Sequence, residues 1–453
     1  MNQAISSDEN DQFLHTPGSS EASDTMDGFS SPTQLTSGPL VRTKAEQPFV
    51  DIYSLEAAKI LVLCSLPVFL FGIARPSYLP ALSVVQTSLN ATDTETALTL
   101  SIPNFAAGIA PFLWGPLSDR FGRKIILLIM LSIGFVASLL GSFAKFVAIL
   151  IVARTTFLIA MSSSIIVAFG VISDVFEPSK QGKAVAILAL TPLIGLLFGP
   201  IIGGALANSF GWEAIFYFLS AVSALFFIIV AVFFRETLQD GSSLRRSFNP
   251  LKSLRLLLVP PIPFVAIMVA ILAGLFSFVP YSFSILFAEE PFNKNSEDIG
   301  VAMTPLGVGV LLGTFVGGFM ADLGLKLRGR GGRIAYSLCG TVLVAIGFTC
   351  YGATMNAGNY GATLFVTFLL GFGFLSMYVG QYTFAISFSP DSPSSVTGAI
   401  TALEAFARFG IVTLGPGLLD ITSIYWLGIF GGATALWGVI PMFYVCFYYW
   451  NRV

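Results

Sequence analysis

From residue 60 to the end of the chain, long apolar runs alternate with short polar stretches, and the runs recur at a nearly constant length. A hydrocarbon core of roughly 30 Å takes about 20 apolar helical residues to cross. Runs of that size predict spans over residues 60–79, 97–114, 125–143, 146–172, 184–207 and 212–234. After a polar stretch come six more, at 264–288, 299–323, 334–355, 363–387, 396–419 and 425–449. The pattern divides the chain into a tail at 1–58, a six-span bundle at 59–234, a central loop at 235–261 and a second six-span bundle at 262–450. The fold class this predicts is an all-α membrane protein with twelve transmembrane helices.

Composition agrees. Of the 453 residues 55% are hydrophobic and 11% charged, against about 25% charged in soluble domains, so a water-soluble fold is excluded. A net charge of -2 offers nothing to a phosphate backbone, which excludes nucleic acid as a partner. The four cysteines, Cys64, Cys339, Cys350 and Cys446, lie inside apolar runs, so neither a disulfide framework nor a metal site is expected. The glycine pairs sit within spans instead of between a strand and a helix, which argues against a dinucleotide loop. No nucleophile lies beside a base, and the reading is of a non-enzyme without cofactor or metal.

Residues 1–58 carry nine acids among many Ser, Thr, Gly and Pro, the composition of a disordered tail, with no apolar segment of signal-peptide type. Charge placement sets orientation, because cytoplasmic loops keep Lys and Arg. With the N-terminus inside, 18 of the 23 basic residues are cytoplasmic and only Lys145 and Lys294 lie outside; Arg75, Arg154 and Arg408 fall within spans. Both termini are then cytoplasmic. The sequon Asn90-Ala91-Thr92 falls on the first outer loop, making Asn90 a candidate glycosylation site.

Two motifs carry more. The loop after the second span reads Gly115-Pro-Leu-Ser-Asp119-Arg120-Phe-Gly122-Arg123-Lys124. Gly115 is expected to let two helices approach, Asp119 to face a helix N-terminus, and Arg123 to reach Asp119 at i,i+4. The turn after span 8 repeats a Gly-x-x-x-Asp step at Gly318 to Asp322 before a basic cluster, as internal duplication in transporters would produce. The second motif, Gly199-Pro200-x-x-Gly203-Gly204 in span 5, combines a lost backbone hydrogen bond with small residues. It is either a pivot or an ordinary small-residue contact.

The first loop resembles the hallmark loop of the major facilitator superfamily, and the second motif resembles that of its twelve-span fungal drug:proton antiporters. The resemblance implies two six-helix bundles that rock about a central solute site. It also implies a cytoplasmic gate, made by the first loop with Asp174 at the end of span 4 as its partner. Arg154 matches the antiporter arginine of span 4, although Thr155-Thr156 follows it where the branch has Gln-Gly. Arg235-Glu236-Thr237-Leu238 is only similar to the sugar-porter sequence after span 6, which disfavours a sugar substrate.

Ionisable groups within spans cost about 2.5–3.5 kcal/mol on insertion scales and tend to face cavities. Arg75, Arg154, Glu404 and Arg408 meet that description. Glu404 and Arg408 are spaced i,i+4, so Glu404 is either a proton carrier that alternates with its pairing to Arg408 or one half of a static pair. Arg154 joins them as a candidate for proton coupling. Arg75, Asn104, Tyr281, Tyr378, Gln381 and Tyr382 are candidate solute contacts, suited to a greasy or aromatic molecule. The function expected is export of small organic molecules (drug, toxin or secondary metabolite) across the cell membrane by a monomer, coupled to protons. The alternative is a facilitator or organic-acid exporter without obligatory coupling, and a transporter-like sensor is the more remote one.

Overall fold

The computed structural model describes residues 52, 54–238, 262–388 and 393–450, and residues 49–453 belong to one unit. Most of the expected tail, the central loop from 239 onward and the last three residues lie outside the described residues. The first half contains α1 (Leu55–Ser77), a short 3-10 turn (Leu79–Ala81), α2 (Leu82–Ser88), α3 (Asp93–Ile109), α4 (Pro111–Phe121), α5 (Arg123–Ser142), α6 (Val147–Ser162), α7 (Ser164–Val175), α8 (Pro178–Phe210) and α9 (Glu213–Phe233). The second contains α10 (Ile262–Ala288), α11 (Ser296–Ala302), α12 (Thr304–Asn356), α13 (Tyr360–Ile386), α14 (Pro393–Ile421) and α15 (Ile424–Trp450). Among the described residues eleven helical stretches are long and apolar enough to cross a bilayer, and α3 with α4 completes a twelfth. Each coincides with a run predicted from the sequence.

The departures are local and have visible causes. Helix α1 starts inside the expected tail, because Ser54 caps it: its Oγ accepts from the Ala57 N–H at 3.1 Å. Span 2 bends by 44° between α3 and α4, where Pro111 opens the second helix and supplies no N–H to the first. Span 4 changes helix at Ser163, and Ser164 Oγ donates to the Met161 carbonyl at 2.7 Å, a bond that competes with the regular ladder. Spans 8 and 9 run on as α12, broken at Arg328 and at Gly329, whose φ is +61°. Helix α8, in contrast, runs 33 residues without interruption through Pro192 and Pro200.

Each half buries its own apolar cluster, although Phe278, Tyr281, Val412 and Leu419 of the second half pack into the first cluster. Outside, large side chains such as Phe319, Trp437 and Phe443 are exposed, a surface that suits lipid and not water. The halves meet along two seams. Helix α3 lies against α14, where Gly108 abuts Ala405, Phe105 meets Phe406 edge-on with ring centroids 4.9 Å apart, and Thr413 Oγ1 donates to Ser101 Oγ at 2.8 Å. Helix α8 lies against α11 and the start of α12, and Asn208 Nδ2 donates to Glu297 at 3.1 Å.

Candidate functional site

The middle of α14 turns a carboxylate toward α13. Glu404 is 1% exposed, and both of its oxygens are held: Oε2 accepts from Arg408 Nη2 at 2.7 Å and Oε1 accepts from the Tyr382 hydroxyl at 2.6 Å. Helical spacing brings the arginine within reach, and the tyrosine comes from a neighbouring helix. The Tyr382 hydroxyl is also 3.3 Å from Thr401 Oγ1, and its ring lies 4.4 Å from that of Tyr378 one turn earlier. A row of rings continues along α13 through Phe374 to Phe276 of α10, the last two stacked at 4.1 Å and 3°. Gln381, on the same stretch of α13, is fully buried, and among the described residues neither atom of its amide has a hydrogen-bond partner. Arg75 of α1 brings a guanidinium from the first half within electrostatic reach of Glu404, Arg408 and Tyr378.

Of the residues expected to meet solute, Arg75, Tyr378 and Tyr382 therefore gather around the Glu404–Arg408 pair. Two others do not. The Asn104 amide donates to the Leu100 carbonyl of its own helix at 2.8 Å. Tyr281 is buried at the seam beside Phe278, their ring centroids 5.9 Å apart.

Arg154 also stands apart, inside the first bundle. Its Nε donates to the Thr99 carbonyl at 3.0 Å and its guanidinium carbon lies 3.6 Å from the centre of the Tyr78 ring. Tyr78 in turn donates its hydroxyl to Thr99 Oγ1 at 3.1 Å. Among the described residues Arg154 has no carboxylate partner, so a carbonyl and an aromatic face stabilise its charge. It lines a cavity with Ser138, Phe157 and Phe216, of a size for about one water.

The loop motif forms the second site. Gly122 has φ +101°, a conformation that a side chain would strain, and it separates α4 from α5. Arg123 then turns inward. Its Nη1 lies 2.6 Å from Asp119 and donates to Ser118 Oγ at 2.7 Å, while its Nε donates to Asp174 at 3.1 Å. Two details differ from the sequence reading. A side chain at Gly115 would meet only Ile166, at 3.9 Å, whereas at Gly170 it would strike the Arg123 guanidinium, so the space is needed at Gly170. The helix N-terminus beside the loop is served by Glu236 and not by Asp119. The Glu236 carboxylate accepts from the N–H groups of Arg123 at 2.8 Å and Lys124 at 3.1 Å, which caps α5 and complements its dipole. Lys124 Nζ donates to the Ala231 carbonyl near the end of α9 at 2.9 Å, again the favourable sign. Arg120 lies over the Phe121 ring, 5.3 Å from its centre. The repeated turn in the second half is looser: Asp322 is 3.8 Å from Arg333 and largely exposed.

The Gly-Pro stretch of α8 is a packing surface with two faces. A side chain at Gly199 would strike Pro76 at 2.5 Å, and one at Gly203 would strike the Ser77 carbonyl of the same half. On the other face Gly204 abuts Ser296, and the Pro200 carbonyl abuts Gly300, both in the second half. Asn90 is exposed between α2 and α3.

Known proteins are similar to this chain in sequence and in fold. The chain is 29% identical to the "MFS-type transporter clz19" of Cochliobolus lunatus over 60% of its own length and 57% of that protein. It is 26% identical to the "Multidrug transporter DTR1" of Candida glabrata over 83% of its own length and 84% of that protein. In fold it matches the partially occluded, inward-open xylose transporter XylE of E. coli with a TM-score of 0.69, at 15% identity, over 86% of this chain and 98% of that one. Residues 64–412 match the family described as "Major Facilitator Superfamily", and the chain belongs to that family.

Proposed function

We propose that this chain is a secondary active transporter that exports small organic molecules, such as a drug, toxin or secondary metabolite, across a fungal cell membrane by proton antiport. The family membership and the similarity to a fungal multidrug transporter support the transport class. The observation that carries the mechanism is Glu404, a buried carboxylate held by Arg408 and Tyr382 and approached by Arg75 from the opposite half. A proton on Glu404 would weaken its hold on Arg408 and change the net charge of the cluster. The protein acts as a monomer, and both of its termini are cytoplasmic, the orientation that puts most basic loop residues inside. The gating cluster around Arg123 then faces the cytoplasm. The hydrogen bonds that join described residues of the two halves, Asn208 to Glu297 and Thr413 to Ser101, lie toward the outer face.

Glu404→Gln tests the proton role, since glutamine keeps the shape and the acceptor but does not titrate. Proteoliposomes carrying the variant are expected to lose the dependence of solute uptake on an imposed proton gradient while keeping exchange of solute for solute. Unchanged gradient dependence sinks the carrier role and leaves a static pair. One observation favours the second reading, a facilitator or organic-acid exporter without obligatory coupling. Among the described residues, Arg154 and Arg408 within the apolar spans and Arg75 in the last turn of α1 stand against the one buried carboxylate of Glu404.

A further inference from the structure

We propose that the central cluster selects an organic anion with a flat aromatic body, whose carboxylate or sulfonate binds Arg75. The proposal rests on the reading of this cluster as the solute site, and it extends the second of the two transport readings.

The first support is charge. The charge of Glu404 is matched by Arg408 at 2.7 Å, which leaves the guanidinium of Arg75 over. Arg75 is half-buried and, among the described residues, makes no hydrogen bond or ion pair. The charges that act on it are of both signs, Arg408 as well as Glu404. A cation in a span without a partner is costly, and a solute that brings a negative charge removes that cost. With a monoanion bound, Arg75, Arg408, Glu404 and the solute sum to zero, so no buried charge is left uncompensated. A cationic solute would instead add positive charge beside two guanidiniums.

The second support is the inventory of unused hydrogen-bonding groups. Arg408 Nε and the Gln381 amide are buried without partners among the described residues, and Arg75 adds its planar fork. This set is rich in donors, as an oxyanion requires and an ammonium group does not. The third support is shape. Beside these donors the rings of Phe276, Phe374, Tyr378 and Tyr382 follow one another at centroid distances of 4.1, 5.7 and 4.4 Å, a wall on which a flat apolar body can stack.

The test uses the full chain, purified and reconstituted, with three naphthalene probes of one shape: 2-naphthalenesulfonate, 2-naphthalenesulfonamide and (2-naphthyl)trimethylammonium. The sulfonate keeps its charge at any working pH. Saturable binding by calorimetry and uptake driven by an inside-positive potential are measured for each. The sulfonate is expected to bind at least about tenfold more tightly than the other two and to be the one the potential drives in. Arg75→Gln is expected to remove that preference, while Arg75→Lys, which keeps the charge, retains part of it. Equal or better binding of the sulfonamide or the ammonium probe to the unmodified chain overturns the proposal, whether or not the variants fold. Sulfonate binding unchanged in Arg75→Gln overturns the assignment to Arg75. If none of the probes binds while cells expressing the chain export other compounds, the anion proposal falls and the export function stands. If expression changes the efflux of no compound, the export function falls too.

Discussion

Tyr382 fixes the geometry of Glu404 from outside its own helix, and that makes it a more informative position than the charged pair alone. Removing its hydroxyl takes the 2.6 Å hydrogen bond away from the buried Glu404 Oε1, a loss of about 1–3 kcal/mol, while the Arg408 bond at 2.7 Å remains. Tyr382→Phe is therefore expected to fold, to keep solute binding within a few-fold, and to slow transport several-fold by leaving the carboxylate free to reorient. Parallel measurements of binding and turnover in proteoliposomes check this, and equal turnover in both proteins would assign Tyr382 to packing only. The pairing of Glu404 with Arg408 was legible in the sequence because i,i+4 spacing on a helix is a local fact. The tyrosine's role was not, since Tyr382 reaches Glu404 across 22 residues and two helices. Glu236 was missed for the same reason. It follows the sixth apolar run as an ordinary acidic residue, and only folding brings it 2.8 Å from the Arg123 N–H, 113 residues away.

At the scale of the helix, the two readings of the α8 motif, a pivot or a small-residue contact, meet a helix whose small residues are packed on both sides. Proline and glycine suggest a pivot, yet the helix continues unbroken and its glycines divide between two neighbours. Gly203 faces the Ser77 carbonyl of its own half, and Gly204 faces Ser296 and Gly300 across the seam. Adjacent positions thus separate folding from motion. Gly203→Val is expected to lower thermal stability in detergent, because α1 cannot retreat without opening the first core. Gly204→Val is expected to fold with near-normal stability but to keep α11 from closing on α8, which reduces transport at least about tenfold, the size of effect that overpacking a tight contact produces. Thermal melting and transport assays on both variants decide the matter, and identical behaviour would mean that the two faces do not have separate roles. The spans themselves were legible almost in full, since apolar length is set by bilayer thickness. The breaks at Ala110 and Ser163 were not, because a run of apolar letters does not show where the backbone changes direction.

The two halves are joined through few polar contacts among the described residues, and the arrangement of these has a mechanical consequence. In the orientation proposed above, rigid rocking of one bundle against the other must open the seam between α8 and α11 on the outer face in each cycle. Asn208 and Glu297 are exposed and hydrogen-bonded across that seam at 3.1 Å, so a covalent link between them holds it shut. Asn208→Cys with Glu297→Cys, made in a chain whose exposed Cys339 has been replaced, can be bridged by a short bis-methanethiosulfonate reagent and released by reductant. Bridging is expected to abolish export while leaving solute access from the cytoplasmic side intact, so that binding from inside survives when turnover does not. Each single cysteine variant, treated identically, is expected to transport normally. Full turnover in the bridged protein would mean that this seam stays closed throughout the cycle, and the moving contact would then have to be sought along α3 and α14.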